Sequence, residues 1–338
     1  MTIPRRVLIL GQLGSPANPT PKDIKAYLKE FLGDARVIDL PPLPKSMLLH
    51  GVILPRRPKR IAPKYQEIWM EGGSPLVVHS KALAAELQSL LGPEIRVELA
   101  MRYGQPSLQE LLRRLQQEQL EEIMLLPLFP QQASATTGSM IQQLMEEMAH
   151  WRVFPKLTIL PEFYSHPGFI QAWVERGRSY VEKGFDKVLF SFHGLPMSQI
   201  HRADPKQHCL GRGACCEPLV RENCHCYRAQ CLETARLIAK GLGIDGQDYE
   251  VTFQSRMGRA EWIGPATDRR IVDLAQSGIK KLLVFSPAFV ADCLETLEEL
   301  AIGEQNRFID HGGEELVMVP SLNGDPKFAQ ALAEMVQK

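Results

Sequence analysis

The chain has 338 residues, 44% hydrophobic and 23% charged, with 39 basic and 39 acidic side chains and a formal net charge of zero. That is ordinary globular composition at a length that favours two domains, and the absence of a basic field argues against nucleic acid as a partner. No stretch approaches 18 uninterrupted apolar residues, so the sequence predicts no membrane span.

The N-terminal MTIPRRVLILGQLGSP carries two arginines and an apolar run too short to cross a bilayer. It lacks the pattern of a signal peptide and reads as a first β-strand. Next comes SMLLHGVILPRRPKRIAPKY, an apolar stretch that turns basic over residues 56–64. Such a segment, roughly residues 46–64, suits either an apolar lip touching a membrane surface or a hydrophobic ligand, or a loop packed on its own domain. PLVVHS, RVELAMRYG and EEIMLLPLF read as further strands of a first half. LTIL, KVLFSFHG, YEVTFQSRM and KKLLVFSPAF read as strands of a second. Most lack apolar/polar alternation, as strands covered on both faces do. The intervening SLQELLRRLQQEQL and TDRRIVDLAQSG have helical spacing. Alternating strand and helix predicts an α/β fold with parallel sheets.

The two halves repeat each other. LVVHS pairs with LFSFHG, each ending at a histidine (His79, His193). LAMRYGQPSLQELL pairs with TFQSRMGR…TDRRIVDL, and IMLLPLFPQQASATTGSMIQQLMEEM with LLVFSPAFVADCLETLEELAIGEQ. This predicts two facing Rossmann-like domains, residues 1–150 and 151–320, with a boundary near residues 147–155. The closing SLNGDPKFAQALAEMV reads as a turn and a helix, within 320–338, that packs back on the first domain. The stretch after His193 is much longer than that after His79. It contains six of the seven cysteines, so residues 205–231 read as an insertion into a finished fold.

In open α/β sheets ligands sit beyond the C-terminal strand ends. His193, Arg256 and the loop after Pro287 occupy such places. Asp292, Glu295 and Glu299 stand at helical spacings, and two carboxylates on one face can hold a divalent cation or take up protons; an exposed acidic face is the plain alternative. Arg256, Arg259, Arg102 and Tyr103 can meet a carboxylate, and Trp262 can stack on a flat ring. Each also has a reading as packing alone.

Taken in order, LFSFHGLP, FQSRMGR…WIGPATD and SPAFVADCLETLEEL resemble the ferrochelatase family, whose members insert ferrous iron into a porphyrin. VLILGQLGSP, the GGSPL turn, MRYGQP, QQASATTGS and SLNGDP match as well, so the resemblance covers nearly the whole chain apart from the cysteine insertion. It implies Fe²⁺ and a porphyrin as substrates. It implies His193 as the group that takes pyrrole protons or ligates the incoming metal, and Glu295 as its partner across the macrocycle. Metallation releases two N–H protons and the metal sheds its waters stepwise, so a base on one face and a ligand on the other meet both needs. Leu13, Trp262 and Phe289 match cleft-lining positions that could grip a bent ring. Arg102, Tyr103, Ser134, Arg60 and Glu299 match further places near substrate. The chain departs from the family at Cys293, Ala301 and Gly303, and at Gln12 where asparagine is common.

Some relatives carry a [2Fe–2S] cluster, certain bacterial ones on an internal segment, which the cysteine stretch resembles. Its thiols fall into four nodes: Cys209, Cys215/Cys216, Cys224/Cys226 and Cys231. One ligand per node gives four thiolates, expected as Cys209, Cys216, Cys226 and Cys231, with Cys215 and Cys224 in reserve. Four thiolates also suit Zn²⁺. Disulfides are disfavoured because the chain is expected in the cytoplasm, with membrane association through the lip. Two other functions fit the same motifs: insertion of iron into coproporphyrin instead of protoporphyrin, and a non-catalytic haem or iron–sulfur sensor. Oligomeric state is not legible.

Overall fold

The computed structural model describes residues 5–209, 215–256, 258 and 260–337. It divides into two compact units. The first comprises Met1–Phe129, Ala133–Glu162 and Asn323–Lys338; the second comprises Pro130–Gln132 and Phe163–Leu322.

The first unit is built on β1 (Arg6–Ser15), β2 (Ile95–Gly104), β3 (Glu122–Pro127) and β4 (Lys156–Ile159), all parallel, in the order β2-β1-β3-β4. Val7 to Leu10 of β1 are wholly buried, which explains their unbroken apolar run. The helices are α1 (Pro21–Gly33), α2 (Pro42–Leu48), α3 (Leu54–Ile68), α4 (Pro75–Leu91), α5 (Leu108–Leu115) and α6 (Ser139–Met148). The unit extends to Glu162, beyond the expected boundary at residues 147–155, because β4 completes its sheet.

The second unit continues with α7 (Pro167–Val181), β5 (Lys187–His193), α8 (Met197–Arg202), α9 (Tyr227–Leu242), β6 (Tyr249–Gln254), α10 (Thr267–Gln276), β7 (Lys281–Phe285), α11 (Gln305–Asp310) and β8 (Glu315–Met318). Its sheet is parallel in the order β6-β5-β7-β8. The short β8 has no counterpart among the strands expected from sequence. A last helix, α12 (Pro326–Gln337), returns to the first unit, where Gly324 just before it stands against Ala82 of α4.

One expected strand is a helix. PLVVHS opens α4, because Ser74 caps the helix by accepting from the N–H of Val77 and Pro75 takes the first turn. Leu83, Leu87 and Leu91 then bury a four-residue stripe. His79 is therefore helical and is not the partner of His193 in the repeat. Register supplies the true one. Ile9 pairs with Leu125 where Phe190 pairs with Phe285, and both β3 and β7 lead to a proline (Pro127, Pro287). In each half a π-helix opens seven residues after that proline, at Ser134–Gly138 and Leu294–Glu304. Thr136 and Thr296 donate to the carbonyls of Ala133 and Cys293 in the same way. β1 thus matches β5 in the repeat, making Gln12 the counterpart of His193 and Ala135 the counterpart of Glu295. The duplication is real, but His193 and Glu295 have no equivalent side chains in the first unit.

Gly14 allows β1 and β2 to close. It has φ of +117°, and an added Cβ would lie 1.7 Å from the Tyr103 carbonyl oxygen. Gly14→Ala should destabilise the protein by well over the ~1 kcal/mol of an average substitution. Gly33→Ala, with nothing within 4 Å of its added methyl, should stay within about 1 kcal/mol of wild type. Urea unfolding of both variants checks the pair.

Candidate functional site

KVLFSFH is a buried strand that ends at a histidine. Val188 to Phe192 lie in the sheet, and His193 emerges at the C-terminal edge of β5. Gly194 follows, where a Cβ would meet the Gln254 carbonyl oxygen at 2.8 Å and the Trp262 ring at 3.2 Å, so the chain turns at a point with no room for a side chain. Nδ1 of His193 lies 2.6 Å from the Gly194 carbonyl oxygen. A carbonyl only accepts, so Nδ1 carries the hydrogen and Nε2 keeps its lone pair. Burial pushes the imidazole below its ordinary pKa, opposed by the Glu295 charge and the Gly194 carbonyl. His193 is therefore a neutral base with one free nitrogen, the form that accepts a proton or ligates a metal.

Glu295 lies in the first turn of the π-helix Leu294–Glu304, a wide winding that recurs at functional sites. The Gln254 side chain, at the end of β6, donates to the Glu295 carbonyl oxygen at 3.1 Å. Beside it Ser255, with φ of +64°, donates to Oε2 of Glu299 at 2.9 Å. Gln254 at the end of β6 and Ser255 just after it thus tie both glutamates to the strand beside that of His193. Cys293 is buried beneath them; burial and then the Glu295 carboxylate keep its thiol protonated. Asp292 does not join the acidic face expected from its spacing. It is buried and accepts from the Thr296 hydroxyl (3.0 Å) and the Ser321 N–H (3.1 Å), fastening the start of the π-helix. Phe289 stands with its ring 6.3 Å from that of His193. Trp262 bridges to Pro196 and lines a cavity of about 320 Å³ with Gly194, Gln254, Arg256 and Arg269. Arg259 lies outside the described residues.

The remaining expected substrate contacts fall on the first unit. Leu13 is half-buried near the end of β1, and Arg60 is exposed on α3. Arg102 and Tyr103 direct their polar groups inward. Asp34 accepts from Arg102 Nη2 (2.7 Å), the Tyr103 hydroxyl (2.8 Å) and the Ser139 hydroxyl (2.5 Å), and Arg102 Nε also reaches Ser139 at 2.7 Å. Burial raises the Asp34 carboxyl, but the Ser139, Arg36 and Tyr103 hydrogen bonds and the Arg102 charge outweigh it and hold the group below its usual range. Ser134 is exposed and accepts from Arg36 at 2.8 Å.

The cysteines form a nest in the second unit. Cys209 Sγ is 3.3 Å from Cys226 Sγ, and Cys215 Sγ is 3.8 Å from Cys216 Sγ. Cys216 bonds to Cys226, which together with burial raises its pKa, and it accepts from Arg228 at 3.2 Å. Cys231 is wholly buried on α9 within electrostatic reach of Cys216. Cys224 is turned away, donating to the Arg221 carbonyl at 3.2 Å. Among the described residues no three His, Cys, Asp or Glu side chains are already set as a metal cage, and the thiols stand in for the thiolates that would ligate. Sequence reasoning missed Gln254, Ser255, Asp34, Ser139 and Tyr227. Gln254 and Ser255 lie inside the FQSRM motif and Tyr227 directly follows Cys226, so adjacency was their one signal; Asp34 and Ser139 had none.

The Ferrochelatase family profile matches residues 5–338. Among curated proteins, a ferrochelatase of Pseudomonas putida is 43% identical over 334 residues, covering 98% of each chain. One of Coxiella burnetii is 42% identical, covering 98% of this chain and 93% of the relative. One of Legionella pneumophila is 41% identical, covering 99% of both. Among solved structures, SirB from Bacillus subtilis with Fe3+ superposes with a TM-score of 0.56 at 9% identity, covering 98% of this chain and 94% of that one. CbiX, the terminal enzyme for siroheme biosynthesis in denitrifying bacteria, gives 0.50 at 16% identity, covering 98% of both. These two share the fold. With a strand-end histidine, a π-helical glutamate and a family match running from residue 5 to residue 338, the chain belongs to the ferrochelatase family.

Proposed function

We infer that the protein is a ferrochelatase that inserts Fe²⁺ into protoporphyrin IX to form haem. The observation that carries the reading is the neutral, Nδ1-protonated His193 at the end of β5, in the same unit as the π-helical Glu295 that Gln254 of the neighbouring β6 holds, within a chain of this family. Nε2 can accept a pyrrole proton as the metal enters, and the Glu295 carboxylate can take a second proton or receive a hydrated cation. Trp262 and Phe289 supply flat apolar surface near the histidine for a macrocycle. Arg102 and Tyr103, bound to Asp34 and Ser139, support this indirectly by fixing the end of β2. Leu13, Arg60, Ser134 and Glu299 complete the set of residues proposed near substrate.

We propose that the cysteine nest holds a [2Fe–2S] cluster. The donors suit it: soft thiols converge, Asp204 at the edge of the nest accepts from the backbone N–H of Cys209, and Arg228 offsets negative charge at Cys216. Cys209, Cys216 and Cys226 would ligate, with Cys231 as the fourth and Cys215 as its alternative, while Cys224 drops from the reserve. When bound, such a cluster supplies a one-electron centre, which metal insertion itself does not need.

A peripheral membrane contact is also supported. Leu43 and Met47 on α2 are 78% and 75% exposed, Val52 is 48% exposed, and exposed Arg56, Lys59 and Arg60 follow. No helix among the described residues is long and apolar enough to cross a membrane. The cytoplasm is the proposed location.

Anaerobic purified protein mixed with Fe²⁺ or Zn²⁺ and protoporphyrin should give the metalloporphyrin spectrum. Conversion of coproporphyrin alone would replace the substrate, and no metallation of either would leave the sensor reading. His193→Ala should lower kcat by about 10²–10⁴-fold with the circular dichroism spectrum intact, and Glu295→Gln should also be strongly impaired. Because burial holds His193 below its ordinary 6.5, its base form survives mild acid. The acid limb of kcat should therefore have its midpoint below pH 6.5, and a midpoint above that value contradicts the assignment. Iron–sulfur absorbance should vanish in Cys216→Ser and Cys226→Ser and persist in Cys224→Ser; a colourless zinc protein would overturn the cluster.

A further inference from the structure

Tyr227 opens α9, directly after Cys226, which occupies the N-cap. Its ring is buried, and its hydroxyl donates to the backbone carbonyl of His193 at 2.8 Å. The opposite edge of that peptide is also held, because the Gly194 N–H donates to the Gln254 carbonyl at 2.8 Å. The plane of the His193–Gly194 peptide is thus fixed from both sides, by the cysteine segment and by β6. The next carbonyl along, that of Gly194, receives Nδ1 of His193. Freeing the first peptide would let that carbonyl swing and the imidazole lose its fixed tautomer. The same Tyr227 hydroxyl meets the Cys231 thiol one turn further along α9, and neighbouring Cys226 pairs with Cys209. One phenol therefore touches both the thiol nest and the backbone of the histidine.

We infer that Tyr227 is a positioning residue for His193, and that the state of the cysteine nest reaches metal insertion through its hydroxyl. The inference rests on His193 acting in that step. Outer groups that orient a working imidazole commonly contribute 10–100-fold. Tyr227→Phe should thus lower kcat about tenfold or more while KM for porphyrin and metal stays within twofold. ¹⁵N-histidine spectra should show the Nδ1–H tautomer of His193 in wild type and a mixture in the variant. A merely structural tyrosine would lower the melting temperature and leave kcat per folded molecule and the tautomer unchanged, and that result overturns the proposal. Cys209→Ser should lower kcat in wild type and have no further effect in Tyr227→Phe; additive effects would refute the coupling. Should the Phe variant not fold, 3-fluorotyrosine at position 227 keeps the hydroxyl. Its ¹⁹F resonance should then move on Cys209→Ser, and an unmoved resonance refutes the coupling. An active His193→Ala would instead locate the failure in the underlying assignment, and iron content measured alongside tests the cluster separately.

Discussion

The hydrogen bond from Nδ1 of His193 to the Gly194 carbonyl decides what the imidazole can do. It spends one ring nitrogen on the protein's own backbone and leaves the other as the free lone pair. Burial then keeps the ring neutral, so that lone pair stays available to a proton or a metal. Much of the nearby architecture serves the geometry of this contact. Gly194 turns where no side chain fits, Gln254 and Tyr227 grip the adjoining peptide, and the strand behind is fully buried.

Duplication supplied two scaffolds of equivalent strand order, and only the second carries a histidine and a glutamate at the matching places. Both sheets share strand order, a proline after the third strand and a π-helix at the same remove. In the first unit Gln12 stands where His193 would be, and its side chain accepts from the N–H of Leu13. Ala135 stands where Glu295 would be. The first unit instead invests its polar groups in the Asp34 network, which fixes the end of β2 without offering a free base.

The sequence made the α/β alternation and the repeat legible, because buried parallel strands are unbroken apolar runs, and it pointed to His193 because ligands sit beyond strand ends in such sheets. LVVHS misled because its apolar residues resemble a strand, whereas Ser74–Pro75 was the decisive signal for a helix. The acidic spacing of residues 292–299 could not distinguish an α-turn from a π-turn, nor reveal that Asp292 is consumed by Thr296 and Ser321. Which thiol of each cysteine pair faces the nest was equally invisible. Cys224 and Cys226 differ by two positions, and only the backbone direction separates the one bonded to Arg221 from the one paired with Cys209. Networks assembled from distant residues, such as Asp34 with Ser139, leave no local pattern at all.

The return of α12 to the first unit has a consequence for how the chain is made. Synthesis proceeds from the N-terminus, yet the first unit lacks the helix at Pro326–Gln337 until all of the second unit has been made. The segment from Phe163 to Leu322 is wholly synthesised before that helix emerges. The half bearing His193 and Glu295 can therefore be assembled while the half begun first still waits, on the ribosome, for α12.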